Sequence, residues 1–229
     1  MAFELKNVVP WGRNLDEYTR IFNLTDKDLN SKIISFGDGP ASFNSEMTKL
    51  KRKIVSIDPI YQFTKTELKQ RIAETKETVL EQTQLNIDNF VWKNICDIRH
   101  LERIRMDAMN QFIDDFDCGK EQGRYQYHEL PNAIDFADMT FDLGLCSHFL
   151  ILYSQLGVDF HIRSITEMLR ICREIRIFPI LNLDAKQSEV LKPVIEFFKS
   201  DFDVEVKSVD YEFQKNGNQM LVIRRTKLS

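Results

Sequence analysis

Gly37 and Gly39 flank Asp38 in a short turn, and a second carboxylate, Asp58, closes the next apolar run. Only eight glycines occur in 229 residues, so two in one turn mark a place where backbone must come close to something. The helix expected after the turn offers unpaired N–H groups at its start. A carboxylate at the end of the following strand can accept hydrogen bonds from the vicinal hydroxyls of a ribose. These residue types in this order suit a nucleotide-like ligand. Asp38 adds negative charge to the turn and Pro40 removes one N–H, which suits a ligand with a cationic group better than a pyrophosphate.

A third group of candidates lies at Cys146, Ser147 and His148, after another apolar run. An imidazole there can serve as a general base on a substrate proton, or it can pack against or cap the next helix. Cys146 and Ser147 read as wall residues rather than nucleophiles. Trp11, Arg13 and Tyr18 precede the first strand; Arg13 can meet a carboxylate, or the segment can simply pack on the core. Tyr61 and Ile57 are candidates to flank a nucleobase, and Arg99, Arg103 and Arg105 read as a solvated face. The four cysteines and four histidines have no metal-ligand spacing, so no metal site is expected.

The elements that must hold these residues alternate between strand and helix, which argues for an α/β domain. Leu15 to Leu29 reads as one or two short helices. Strands are expected at Lys32–Phe36, Ile54–Ile57, Tyr125–Leu130, Phe141–Cys146 and Ile175–Leu181, with Pro179 bending or disturbing the last. The early runs are apolar on both faces, as in a buried parallel sheet. A helix begins near Ser42. Residues 61–123 hold two helical patterns, more than a crossover needs, so the extra helix is a candidate lid. Val204–Phe213 and Gln219–Arg225 read as an antiparallel pair around Asn216-Gly217. The formal charge of −4 gives no global attraction to nucleic acid. No apolar run is long enough to span a membrane. Met1 to Lys6 lacks the pattern of a signal peptide, and cytoplasmic residence is the default expectation.

With these pieces in place the chain resembles the class I, Rossmann-like, S-adenosylmethionine-dependent methyltransferases. The resemblance rests on Gly37-Asp38-Gly39-Pro40-Ala41, on Asp58, on the Phe141–His148 strand and on the terminal hairpin. Pro10-Trp11-Gly12-Arg13 with Leu15-Asp16-Glu17-Tyr18, the run from Gly37 to Asn44, Cys146-Ser147-His148-Phe149 and Arg176-Ile177-Phe178-Pro179 are similar to an uncharacterised bacterial subgroup. The resemblance implies a three-layer fold with a mostly parallel seven-stranded sheet ending in an antiparallel hairpin. It implies one domain over residues 1–229, with 1–30 as a helical cap and 61–123 as an excursion between the second and third strands.

It further implies S-adenosyl-L-methionine as cofactor, held by Gly37, Asp38, Gly39, Pro40, Ala41, Asp58, Pro59, Glu129, Leu130 and Cys146. Trp11, Arg13, Tyr18 and His148 would face the substrate, with His148 the candidate base. Ser35 and Leu130 stand where the family usually carries acidic residues. The implied activity is methyl transfer to the O or N of a small molecule, without nucleic acid, membrane or metal. A non-catalytic protein that binds S-adenosylmethionine or S-adenosylhomocysteine is the first alternative. An NAD(P)-dependent oxidoreductase is the second, against which Ser42 stands at the position of a third fingerprint glycine.

Overall fold

The computed structural model describes residues 11–225. The sequence readings on Met1 to Lys6, and on the first ten residues of the cap, lie outside these. Two short helices open the described chain, α1 (Leu15–Ile21) and α2 (Asp26–Leu29). Asn14 and Glu17 form a reciprocal capping box on α1, and Thr25 and Asp28 form one on α2. Then follow β1 (Ile33–Phe36), α3 (Phe43–Lys49) and β2 (Ile54–Ile57). The excursion holds α4 (Lys65–Leu85) and α5 (Ile98–Glu121), and leads to β3 (Tyr125–Gln126). The chain continues through β4 (Phe141–Ser147), α6 (Val158–Ile171), β5 (Cys172–Phe178) and α7 (Leu191–Phe198), and ends with β6 (Phe202–Ser208) and β7 (Gln219–Arg225).

The seven strands run in the order β3-β2-β1-β4-β5-β7-β6. All neighbours are parallel except β7, which is antiparallel to both β5 and β6 and lies between them. This is the Rossmann-like methyltransferase arrangement. Alternation along β1 splits the core: Ile34 and Phe36 pack in the cluster that includes α6 and α7, and Ile33 in the one with α1 and α3. A third cluster joins Leu68 and Ile72 of α4 to Met109, Phe112 and Phe116 of α5.

The register positions the site. Phe36 pairs with Ile57 on one side and Cys146 on the other. Gly37, Asp58 and Ser147 therefore emerge side by side at the carboxyl edge of the sheet. There the strand order reverses about β1, and open α/β sheets have a crevice at that point.

Three expected strands shift. The third stops at Gln126 rather than Leu130, because its only neighbour, β2, runs out: Asp58 N–H makes the last bond, to Gln126 C=O, and Pro59 has no N–H to continue. The fifth runs Cys172–Phe178 rather than Ile175–Leu181; it starts directly from α6 and ends where Pro179 removes a donor. The sixth ends at Ser208 rather than Phe213. The remainder forms a loop that pairs elsewhere, with Val91 N–H bonded to Phe213 C=O at 2.7 Å and Lys215 N–H to Asn89 C=O at 2.9 Å. That loop thereby ties the terminal hairpin to the excursion.

Candidate functional site

The turn after β1 is closed by carboxylates. Gly37 and Gly39 both adopt the left-handed region, at φ 61° and 57°, where an L side chain is strained. A Cβ on Gly37 would lie 2.7 Å from the Phe149 ring, whereas one on Gly39 would meet nothing within 4 Å. Gly37 is therefore needed for packing as well as for its φ, while Gly39 borders open space.

Asp58 spends one oxygen on Gly39 N–H and the other on Ile60 N–H, both at 2.8 Å. Burial outweighs these bonds and pushes its carboxyl up to about 6. Each oxygen keeps a second lone pair, so the group can still take hydroxyls from a ligand.

Asp38 is turned inward. Its carboxylate accepts hydroxyl bonds from Ser35 and Ser56, each at 2.6 Å, and from Tyr18. Burial nevertheless raises its pKa. The strand position where the resemblance expects an acid is Ser35. Asp38 folds back onto Ser35, so a carboxylate does stand beside that position, delivered from the turn instead of the strand. Tyr18, expected to face substrate, borders the cavity, but it gives its hydroxyl to Asp38 and stacks on Phe43 with ring centroids 4.2 Å apart. It braces the turn.

A cavity of about 760 Å³ opens over this edge, within the size range of small-molecule sites. Trp11, Arg13, Tyr18, Gly37, Asp38, Gly39, Pro40, Asp58, Pro59 and His148 of the sequence candidates line it. A smaller cavity of about 190 Å³ shares Gly37, Pro59 and Phe149 with the first and is otherwise lined by Ile57, His128, Glu129 and Leu130. Ala41 and Cys146 line neither. Ala41 is packed behind the turn, and Cys146 lies in the core with its thiol pushed up to about 12 by burial. Tyr61 is also a core residue, wholly buried among Phe112, Phe116 and Tyr125, with its hydroxyl donated to Gly39 C=O at 2.9 Å. It offers no free face for stacking.

The cover is built from three separate parts of the chain. The N-terminal strap crosses the turn so closely that a Cβ on Gly12 would lie 2.0 Å from Pro40 O. Ser42 N–H donates to Arg13 C=O at 3.0 Å. Glu17 of α1 accepts from Arg105 of α5 at 2.5 Å and from Tyr211 of the β6–β7 loop at 2.9 Å. Arg105 and Glu17 are both buried. Arg105 and Arg13 hold the Glu17 carboxyl below its ordinary value, against its burial.

The sequence reading of Arg105 as part of a solvated face is thus overturned. The signal was available: position 105 is four after Leu101 and three before Ala108, within the apolar stripe of α5. Glu17 and Tyr211 carried no comparable signal, because their partners are 88 and 194 positions away.

His148 leaves β4 at φ 54°, an uncommon conformation for a residue with a Cβ. Its N–H donates to Phe178 C=O at 2.6 Å, and its Nδ1 lies 2.8 Å from Ser147 Oγ. Burial, then Arg13 and Arg105, hold its pKa well below the ordinary value, so the imidazole is neutral. Nε2 has no protein partner among the described residues.

No family model matches the chain. Two solved structures of similar chain path are a TehB-like SAM-dependent methyltransferase from Corynebacterium glutamicum and a SAM dependent methyltransferase from Aquifex aeolicus. The first is 13% identical with a TM-score of 0.44, covering 86% of this chain and 81% of that one. The second is 10% identical with a TM-score of 0.39, covering 91% and 92%. The relative found by sequence comes from an archaeon. At 35% identity over 223 residues, 96% of this chain and 98% of its relative, the chain belongs to the family of the uncharacterized protein MJ0045 of Methanocaldococcus jannaschii.

Proposed function

We propose that this protein is an S-adenosylmethionine-dependent methyltransferase acting on an O or N of a small molecule. The observation that carries the reading is the position of Asp58, at the sheet's switch point and lining the larger of two adjacent cavities of unequal size. The smaller has flat apolar walls in Ile57, Pro59, Leu130 and Phe149, with Glu129 beside them, and suits an adenine. Asp58 would take the ribose hydroxyls through its remaining lone pairs. Gly39, with open space where a Cβ would be, leaves room for the rest of the cofactor.

When bound, the cofactor supplies a methyl group already activated on a sulfonium. The protein has then to orient an acceptor, exclude water and take up a proton. The three-part cover supports exclusion of water. His148 is the candidate to receive the acceptor's proton at Nε2, since its Nδ1 is engaged by Ser147 and its ring is neutral.

The turn's own hydrogen bonds disfavour the dinucleotide alternative. Gly37 N–H is bonded to Ile57 C=O, Gly39 N–H to Asp58, and Ser42 N–H to Arg13 C=O. A pyrophosphate needs such donors free, and the inward Asp38 carboxylate would oppose it.

The test is calorimetric titration with S-adenosylmethionine, S-adenosylhomocysteine and NADH. The first two are expected to bind and NADH is not. Binding of NADH alone would overturn the reading.

A further inference from the structure

Arg13 is charged and short of partners. Its one hydrogen bond among the described residues runs from Nη1 to Trp11 C=O at 3.2 Å. Its Nε is buried without an acceptor, and no described carboxylate forms an ion pair with it. Arg105, the other guanidinium lining the same cavity, is already matched by Glu17. Among the described residues two cations therefore share one carboxylate at this end of the cavity. Leaving a guanidinium partly desolvated and unpaired is costly, and an anion that arrives with a ligand would offset the cost.

The acidic residues of the cavity do not supply that anion. Asp38 is enclosed by three hydroxyls. Asp58 serves the turn through two N–H groups, and Asp184 is exposed at the rim.

Building on the proposed methyltransferase reading, we propose that the acceptor is an anion, a carboxylate or phosphate ester, docked through the guanidinium fork of Arg13. The planar fork pairs such oxyanions bidentately. Arg13 and His148 line the same cavity, so an oxyanion held by Arg13 shares that space with the candidate base. It would also offset the two cations that add to burial in holding the imidazole neutral. Trp11, Phe178, Tyr211 and Phe213 line the same cavity and suit an aromatic or otherwise apolar body behind the charge.

The test uses calorimetry, or ligand-detected NMR at millimolar affinity, with 4-hydroxybenzoate, phenyl phosphate and the neutral 4-hydroxybenzamide. Each is titrated with and without S-adenosylhomocysteine, on wild type, Arg13→Met and Arg13→Lys. Arg13→Met keeps much of the apolar stem, and Arg13→Lys retains the charge without the fork.

At least one anion should bind wild type about tenfold or more tightly than the amide, and Arg13→Met should abolish that advantage. Arg13→Lys should restore part of it, and S-adenosylhomocysteine should bind all three proteins within about threefold. Equal binding of anions and amide to wild type would overturn the proposal. So would a tenfold loss of S-adenosylhomocysteine in Arg13→Met with anion binding intact, which would assign Arg13 to the cofactor's own carboxylate. Anion binding through Arg13 with no binding of either cofactor form would instead sink the methyltransferase reading and leave the anion site standing.

Discussion

The floor and the cover of this cavity handle charge in opposite ways. At the floor, two carboxylates are surrounded by neutral donors: Asp38 by three hydroxyls and Asp58 by two backbone N–H groups. At the cover, charge meets charge: Glu17 is held by Arg105 and Tyr211, and Arg13 is left over among the described residues. The floor is thus negative and, Tyr18 apart, fixed by short-range bonds within one βαβ unit and the turn after it, while the described part of the cover carries excess positive charge and joins distant segments. A ligand with a cationic centre toward the floor and an acceptor with an anion toward the cover would satisfy both.

The contrast can be broken most sharply at Arg105. Replacing it by Met leaves Glu17 buried without its cation and is expected to cost about 3–5 kcal/mol of stability. Chemical denaturation of the single variant and of the Glu17→Met/Arg105→Met pair would measure this. The double variant should recover much of the loss; an unchanged single variant would mean that the cover is not held by this ion pair.

The two glycines of the floor separate packing from conformation. Gly37→Ala forces a Cβ into Phe149 as well as a strained φ, at an expected cost of about 2–4 kcal/mol. Gly39→Ala bears only the φ penalty of about 1–2 kcal/mol. Equal melting shifts in the two variants would contradict the packing role given to Phe149.

Asp58→Ala is expected to lose about 1.5–3 kcal/mol of cofactor binding, because it removes charged hydrogen bonds. Unchanged affinity in a titration would remove the ribose role.

The smallest expected effect is a pH dependence. With Asp58 at about 6, its ionised fraction drops from near complete at pH 7 to roughly a tenth at pH 5, so cofactor affinity should weaken about tenfold over that range. The sign for folding is the reverse. A carboxyl raised in the folded state binds its proton more tightly than in the unfolded chain, so this group's contribution to stability grows as pH falls from about 6 toward 3.8. Asp58→Asn should flatten the affinity profile; a wild-type profile already flat would place the ribose contact elsewhere.

Much of the floor was legible because it is local. The glycine turn, Asp58 and the strands beside them follow from short apolar runs and from residue types with few conformational uses. The orientation of the carboxylates was not legible. Asp38 reads as a loop charge until Ser56, eighteen positions away, and Tyr18, twenty positions away, are seen to close on it. Tyr61 reads as a possible stacking face until α5 covers it.

The sequence by itself determined an α/β chain with a two-glycine turn and a carboxylate at the next strand's end, because side-chain period and glycine conformation are properties of neighbours along the chain. Only the tertiary structure decided which charges are spent and which remain. Ion pairing depends on what a fold brings within about 4 Å. Glu17, Arg105 and Tyr211 meet from three elements far apart in the chain, and Arg13 is left without a counter-charge among the described residues.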